Sequence, residues 1–392
     1  MERRQIRENS IFESLRNAGY SLKDLLPAFP GDTPSDVETR MRDNRLRYSR
    51  TVEPFGYLGT RECRSTYFNV TAEGYRRSPA EAPVDWGRHR IVACFGGSTT
   101  AGHNVGDCET WPYYLEQLLA MDEPDVRVVN YGAGGHTLMH ASLALLHRCM
   151  SGRAPNDAVF LTGLNDCYYA FENPDAILNF LDTVLMLSQH DPGQGTVLSE
   201  IRNLIPQRGT VSETRSNSEV LCAVELGRVR ALLSTRWAVA TGILNICRNL
   251  WGVRLWRFWE PSQFLTPDLK GHLVPRTVTS VSSHDLAGAL YRNVVVTGVR
   301  AVLGNREVID LSDCGQHELG VWLYLDEASH ATPAMNQHLA RVIQHHISGR
   351  STWFDSVQRL FSRRTRTNAE SHPSPAIGKK SGPADSDLYP MW

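Results

Sequence analysis

The sequence has no paired cysteines and no long apolar run. Its eight cysteines are scattered and none forms a CxxC pair, so neither a zinc site nor a disulfide framework is indicated. We therefore expect reduced thiols in a cytosolic protein. No run reaches the roughly 18 apolar residues that would span a bilayer, and polar residues follow the charged start at residues 1–4. Neither a secretory signal nor an integral membrane segment is expected.

The sequence also lacks an excess of charge of either sign. Lys and Arg number 41 against 42 Asp and Glu, the formal net charge is −1, and no long basic block is present. Nucleic acid is therefore not expected as a partner. With 392 residues, of which 41% are apolar and 21% charged, the chain can bury a sizeable core. This composition excludes collagen, coiled coil and wholesale disorder. Since nucleic acid is not expected, a small or acyl-type ligand is the default expectation.

The composition divides the chain into three parts. Residues 1–89 are expected to form a helical and hairpin extension. Residues 90–350 have the pattern of a folded α/β domain, in which 188–218 and 262–284 fit neither helix nor strand and are candidate lids over a ligand. Residues 351–392 are rich in Pro, Ser and Gly, and we expect this tail to be mostly disordered.

Short apolar runs alternate with helical stretches from residue 90 onward. Runs of this kind are typical of a parallel sheet that is buried on both faces. The sequence therefore predicts a three-layer α/β/α fold with a parallel sheet of about five strands. The expected strands are 91–95, 126–130, 158–162, 253–259 and 308–311. The expected helices are 111–121, 137–150, 176–187, 219–250, 285–303 and 333–347.

A glycine-rich turn, GGSTTAG at residues 96–102, follows the first expected strand. It places Ser98 between strand and helix, where glycines let the backbone fold tightly and the hydroxyl would face the open end of the sheet. The Walker pattern for phosphate needs a lysine that is absent here, and the GxSxG turn of α/β-hydrolases fails because residue 100 is threonine. Ser98 is a candidate nucleophile, and a helix cap is the ordinary alternative.

Two further polar turns follow the next two strands. Residues 130–137 read NYGAGGHT, and their amide N–H groups could meet a developing negative charge. Residues 163–166 read GLND, and Asn165 can aim its side-chain amide into the same cleft. The alternatives are half of a dinucleotide site for the first turn, whose spacing is not GxGxxG, and an ordinary Asn-Asp turn for the second.

A histidine with acidic neighbours stands near the end of the expected domain. Of fourteen histidines, only His330 follows acids three and four positions before it, Glu327 and Asp326. A histidine can take a hydroxyl proton, and a nearby carboxylate fixes its tautomer and supports its cation. His330 is therefore the candidate general base.

These four sites, in this order, resemble the SGNH hydrolases, the GDSL-like esterase superfamily, in the branch whose nucleophile block reads GGST. The resemblance covers roughly residues 90–348 and rests on Ser98, Gly135, Asn165 and His330. It implies a flavodoxin-like three-layer fold, with Ser98 as nucleophile and His330 as base. It also implies an oxyanion hole formed by the amides of Ser98 and Gly135 and the side chain of Asn165.

The acid departs from the pattern of that family. The family usually has Asp three residues before the histidine, where this chain has Glu327, with Asp326 one residue further back. Asp326 is favoured as the residue that orients His330, because Tyr-x-Asp is the usual lead-in. Glu327 in that role, or a Ser-His pair without an acid, are the alternatives.

The resemblance implies hydrolysis of a carboxylic ester or thioester through an acyl-enzyme, without a cofactor. An acyltransferase using the same residues and a non-catalytic acyl- or carbohydrate-binding module are the alternatives. A metal site at His136 and His140 lacks an evident third ligand, so no metal is expected. Residues 228–259 are rich in Trp and Arg and are expected to be a core helix and the next strand, with docking to a membrane surface or to an acidic carrier protein as the alternative.

The candidate lids carry basic residues beside apolar ones. We therefore expect a substrate with an apolar part and an anionic or strongly polar part. The basic residues are Arg202, Arg208, Arg215, Lys270 and Arg276.

Overall fold

The computed structural model describes residues 21–79, 81–172, 223–262, 308–311, 314, 323–325 and 329–348. All described residues except Ser348 belong to one compact unit, which ends at Ile347. Several predictions lie outside the described residues: helices 176–187 and 285–303, both candidate lids except Ser262, and the tail 351–392.

The described part of the chain alternates strands and helices. The strands are β1 (Arg50–Val52), β2 (Leu58–Thr60), β3 (Arg90–Gly96), β4 (Val126–Asn130), β5 (Asp157–Thr162), β6 (Arg254–Trp259) and β7 (Ile309–Asp310). The helices are α1 (Leu22–Leu25), α2 (Pro34–Asp43), α3 (Ser98–Ala101), α4 (Trp111–Ala120), α5 (Leu138–Met150), α6 (Leu164–Glu172), α7 (Ala223–Trp251) and α8 (Pro333–Ile347). The five strands predicted for the sheet are confirmed, and their ends differ by a single residue at most.

A parallel sheet with strand order β4-β3-β5-β6-β7 forms the centre of the fold. Every residue of β5 is buried, and so is every residue of β3 after Arg90, because helices cover both faces. The chain passes from β3 to β4 on one side and returns to β5 on the other side of β3. In such sheets ligands bind at the carboxyl ends of the strands where the order reverses. The turns after β3, β4 and β5 therefore surround one crevice.

Helices form a layer on each side of this sheet. α4 packs against α8 and β4, whereas α7 packs against α5 and α6, and α5 also contacts β3 and β5. Stacked aromatic rings fill the interior: the centroids of Phe95 and Phe160 are 5.3 Å apart, and those of Trp237 and Trp259 are 4.2 Å apart. The three-layer α/β/α fold predicted from the sequence is confirmed. No described helix has the length and apolarity needed to cross a membrane.

Residues 21–79 pack on the α/β domain rather than standing apart from it. Leu25, Val37 and Met41 share a buried cluster with Val105, which follows the first turn, and with Leu325, which precedes His330. The segment contains the antiparallel hairpin of β1 and β2, and Val70 forms antiparallel bridges with Cys63 and with Arg76. The division between extension and domain at residue 89 stays a prediction.

Candidate active site

The first turn begins α3 at Ser98. Gly97 occupies the N-cap position, so Ser98 is not the helix cap that the ordinary alternative assumed. A Cβ at Gly96 would collide with the carbonyl oxygen of Leu161, and a Cβ at Gly97 would collide with Nδ2 of Asn165. The two glycines thus let the turn approach the end of β5 closely. Ser98 is half-buried, so one side of it faces open space.

Asn130 ties the second turn to the first. Its Nδ2 donates to the carbonyl oxygen of Thr100 (2.8 Å), and its Oδ1 accepts from the amide of Gly132 (2.9 Å). A Cβ at Gly132 would lie 2.6 Å from the carbonyl carbon of Thr100, so this contact requires glycine. Gly135 has a φ of 77°, in the left-handed region that favours glycine. It is half-buried at the same edge of the sheet as the first turn.

Asn165 lies in the third turn, at the start of α6. Its Nδ2 donates a 3.1 Å hydrogen bond to the carbonyl oxygen of His136, the residue after Gly135. The same nitrogen lies against Gly97, the residue before Ser98. The structure therefore brings Ser98, Gly135 and Asn165 together at the carboxyl ends of three adjacent strands.

His330 lies shortly before α8, where the backbone on either side of residues 326–328 is paired. The amide of Leu325 donates to the carbonyl oxygen of His330 (2.7 Å), and Tyr324 and Ala331 form an antiparallel bridge. Ser329 has a φ of 64°, and such strain in a non-glycine residue is common at functional sites. Asp326 and Glu327 lie outside the described residues, so the identity of the orienting acid stays a prediction.

His330 is connected to the first turn through two neighbours that sequence reasoning missed. Its Nδ1 lies 3.5 Å from Nδ2 of Asn104, and its ring centroid lies 5.0 Å from that of His103. The amide of His103 in turn donates to the carbonyl oxygen of Ser98 (3.0 Å). Within the described residues no hydrogen bond joins Ser98 to His330 directly. Such catalytic hydrogen bonds often tighten only when substrate binds.

Asn104 is held in place by the N-terminal segment. Its Oδ1 accepts from Nη1 of Arg47 (3.2 Å), and its backbone N–H donates to Oδ1 of Asn44 (2.9 Å). Its φ of 70° is one that asparagine tolerates better than most residues. Nothing in the sequence pattern indicates these contacts, because they join residues far apart in the chain.

Two buried carboxyls support the third turn. Glu260, directly after β6, accepts a 2.7 Å hydrogen bond from the amide of Leu164. Asp166 accepts from the amide of Leu138 (3.1 Å) and from Nε1 of Trp237 (2.9 Å). Burial raises the pKa of both carboxyls to about 7, against ordinary values of 4.5 for Glu and 3.8 for Asp. Both groups are therefore partly protonated at neutral pH.

His136 and His140 make ordinary internal contacts. His136 Nε2 lies 2.6 Å from the carbonyl oxygen of Leu58, and His140 Nδ1 lies 2.9 Å from Oγ1 of Thr137. Their rings stack with centroids 5.4 Å apart. In the part of the chain that the structure describes, no group of three or more His, Cys, Asp or Glu residues is arranged to hold a metal ion.

Several solved structures resemble this chain weakly. One is a member of the lipolytic protein G-D-S-L family from Veillonella parvula DSM 2008, with 14% identity, a TM-score of 0.34, and coverage of 65% of this chain and 95% of that chain. Another is Est24, a carbohydrate acetylesterase from Sinorhizobium meliloti, with 12% identity, a TM-score of 0.35, and coverage of 66% and 99%. At such identities and TM-scores the likeness carries no conclusion about activity. No curated protein sequence matches the chain.

The sequence itself matches a family model. The GDSL-like Lipase/Acylhydrolase family model matches residues 94–232, which include Ser98, Gly135 and Asn165, while His330 lies beyond the match. This segment contains β4, β5 and the three turns described above. Residues 94–232 are therefore similar to the GDSL-like lipase/acylhydrolase family, in agreement with the resemblance to the SGNH hydrolases that the sequence motifs indicate.

Proposed function

We propose that the protein hydrolyses a carboxylic ester or thioester through an acyl-enzyme, with Ser98 as nucleophile and His330 as general base. The observation that carries the proposal is the meeting of Ser98, Gly135 and Asn165 at one edge of the sheet, with His330 beside the same turn. The family match supports ester hydrolysis in general.

The reaction would proceed in two halves. Ser98 Oγ attacks the substrate carbonyl carbon while His330 takes the hydroxyl proton. The resulting oxyanion accepts hydrogen bonds from the amides of Ser98 and Gly135 and from Nδ2 of Asn165. His330 gives the proton to the departing alcohol or thiol, which leaves the acyl group on Ser98. Water then loses a proton to His330, attacks the acyl carbon, and releases the carboxylic acid as Ser98 recovers its proton.

The nucleophile can be identified by covalent labelling. A fluorophosphonate probe is expected to label Ser98, and tandem mass spectrometry locates the adduct. Ser98→Ala should abolish both labelling and the hydrolysis of p-nitrophenyl acetate. Ser151→Ala is the matched control, because Ser151 is exposed and donates its hydroxyl to the carbonyl oxygen of His147, away from the three turns.

The outcome also separates the alternatives. Labelling at another residue, or none on the folded protein, would overturn the assignment of Ser98. Release of the acyl group to an added alcohol in preference to water would indicate an acyltransferase. Binding of an ester without turnover would indicate a non-catalytic binding module.

A further inference from the structure

Two buried arginines of the N-terminal segment lie beside the candidate active site, and neither has an acidic partner in the part of the chain that the structure describes. Arg47 is 8% exposed and Arg50 is 5% exposed. Arg47 donates to Oδ1 of Asn104 (3.2 Å) and to the hydroxyl of Tyr48 (2.8 Å), and Arg50 donates to Oγ1 of Thr60 (3.0 Å). The Nε atoms of both are buried and have no hydrogen-bond partner among the residues that the structure describes. Neither arginine forms an ion pair among the described residues.

Other buried arginines of the same segment are paired with acidic residues. Three of them form close ion pairs: Arg40 with Asp32 (2.6 Å), Arg76 with Asp107 (2.7 Å), and Arg77 with Glu116 (2.9 Å). A buried charge without a partner is costly, because it has lost water and gained no counter-charge. The charges of Arg47 and Arg50 are therefore not compensated by an acid among the described residues, whereas the charges of Arg40, Arg76 and Arg77 are.

The pair lies next to the second turn. A Cβ at Gly134 would lie 2.8 Å from Nη2 of Arg50 and 2.9 Å from Nε2 of His103, another buried nitrogen without a partner. Gly134 directly precedes Gly135, whose amide is expected to bind the oxyanion. A group held by Arg50 would therefore lie close to the position expected for the reacting carbonyl.

The two charged side chains of this region, Arg47 and Arg50, are both positive. Burial and the charge of Arg47 lower the pKa of Arg50 to about 10, so Arg50 stays protonated at neutral pH. Burial, together with Arg47, His330 and Arg50, holds the pKa of His103 well below its usual range, so its ring is neutral. The region therefore offers two guanidinium groups and one neutral imidazole. No carboxylate of the described residues pairs with either guanidinium.

Resting on the function proposed above, we propose that Arg47 and Arg50 bind an anionic group of the ester substrate, a carboxylate or a phosphate. A guanidinium presents parallel N–H groups that match the two oxygens of such an anion. The preferred ester carries its negative charge close to the scissile bond, and Arg47 and Arg50 determine that specificity.

Binding is tested first without catalysis. The Ser98→Ala protein is heated in the presence of inorganic phosphate, of succinate, or of sodium chloride at equal ionic strength. Phosphate, succinate or both should raise the melting temperature above the value in chloride, because a ligand that binds only the folded state stabilises it. Arg47→Met and Arg50→Met in the same background should reduce that rise. Arg61→Met, which removes an exposed arginine from the same segment, should keep it.

Kinetics then tests specificity with esters of one leaving group. Wild type should prefer mono-p-nitrophenyl succinate or p-nitrophenyl phosphonoacetate to p-nitrophenyl acetate, and the preferred ester distinguishes carboxylate from phosphate. Either Met variant should lower the ratio of kcat/KM for the anionic over the neutral ester by roughly 10- to 100-fold. Arg50→Lys keeps the positive charge and should recover part of the anionic-over-neutral ratio of kcat/KM. It also serves as the test variant if Arg50→Met does not fold.

The two proposals fail in different ways. If neither phosphate nor succinate stabilises the protein beyond chloride, or if the Met variants slow all esters equally, the anion site is wrong. If phosphate or succinate binds but the wild-type protein hydrolyses none of the esters, the anion site stands and the proposed hydrolysis is wrong.

Discussion

Replacing Glu260 by Gln should change how the stability of the protein depends on pH. The Glu260 carboxyl is 3% exposed, and burial, aided by the nearby Asp166, raises its pKa from 4.5 to about 7. Between these two values the folded protein holds a proton that the unfolded chain has lost. The stabilisation is therefore fully present below about pH 4.5 and is lost as the pH rises through 7.

The size of this effect follows from the two pKa values. A rise from 4.5 to about 7 corresponds to about 3 kcal/mol, at about 1.4 kcal/mol for each pH unit. Gln is neutral at every pH, and its side-chain carbonyl can still accept the hydrogen bond from the amide of Leu164. The Glu260→Gln protein should therefore lose less stability than wild type between pH 5 and pH 8, by up to about 3 kcal/mol. Asp166 keeps a similar dependence in both proteins, so the slope is reduced rather than abolished.

The measurement is urea unfolding followed by circular dichroism at pH 5 and pH 8. The quantity compared is the change in unfolding free energy between the two pH values, so contributions shared by both proteins cancel. Glu62→Gln serves as the matched control because Glu62 is exposed, and it should behave as wild type does. Equal pH dependence in wild type and Glu260→Gln would refute the reasoning.

Three further predictions concern catalysis. Asn165→Ala should lower kcat by about 10² to 10³ with little change in KM, because an oxyanion donor acts mainly in the transition state; steady-state kinetics checks this, and an effect confined to KM would contradict it. Asp326→Asn should reduce turnover strongly and Glu327→Gln only mildly, and the opposite order would give the orienting role to Glu327. Asn104→Gly keeps the positive φ but removes the side-chain amide beside His330. The variant should lower kcat about fivefold, which corresponds to the loss of one hydrogen bond of about 1 kcal/mol. An unchanged kcat would show that Asn104 is not a positioning residue.

The sheet was predictable because its strands are short apolar runs and because parallel strands bury both faces. Ser98, Gly135 and Asn165 could be placed for the same reason: each follows one of three adjacent strands, so the topology alone brings them to one edge. The hairpin of β1 and β2 was not predictable, because strands of three residues are too short to show a periodic pattern.

The polar neighbours of the site escape prediction for a different physical reason. Arg47 reaches Asn104 across 57 positions of sequence, and Glu260 reaches Leu164 across 96, so neither contact leaves a local pattern. Composition indicates only that the N-terminal segment is polar, which is also typical of a solvated surface. Only burial distinguishes a solvated polar surface from polar groups inside the protein. A guanidinium in water needs no partner, whereas the buried Arg50 does. The N-terminal segment therefore holds the two buried arginines that are proposed to bind the anionic group of the substrate.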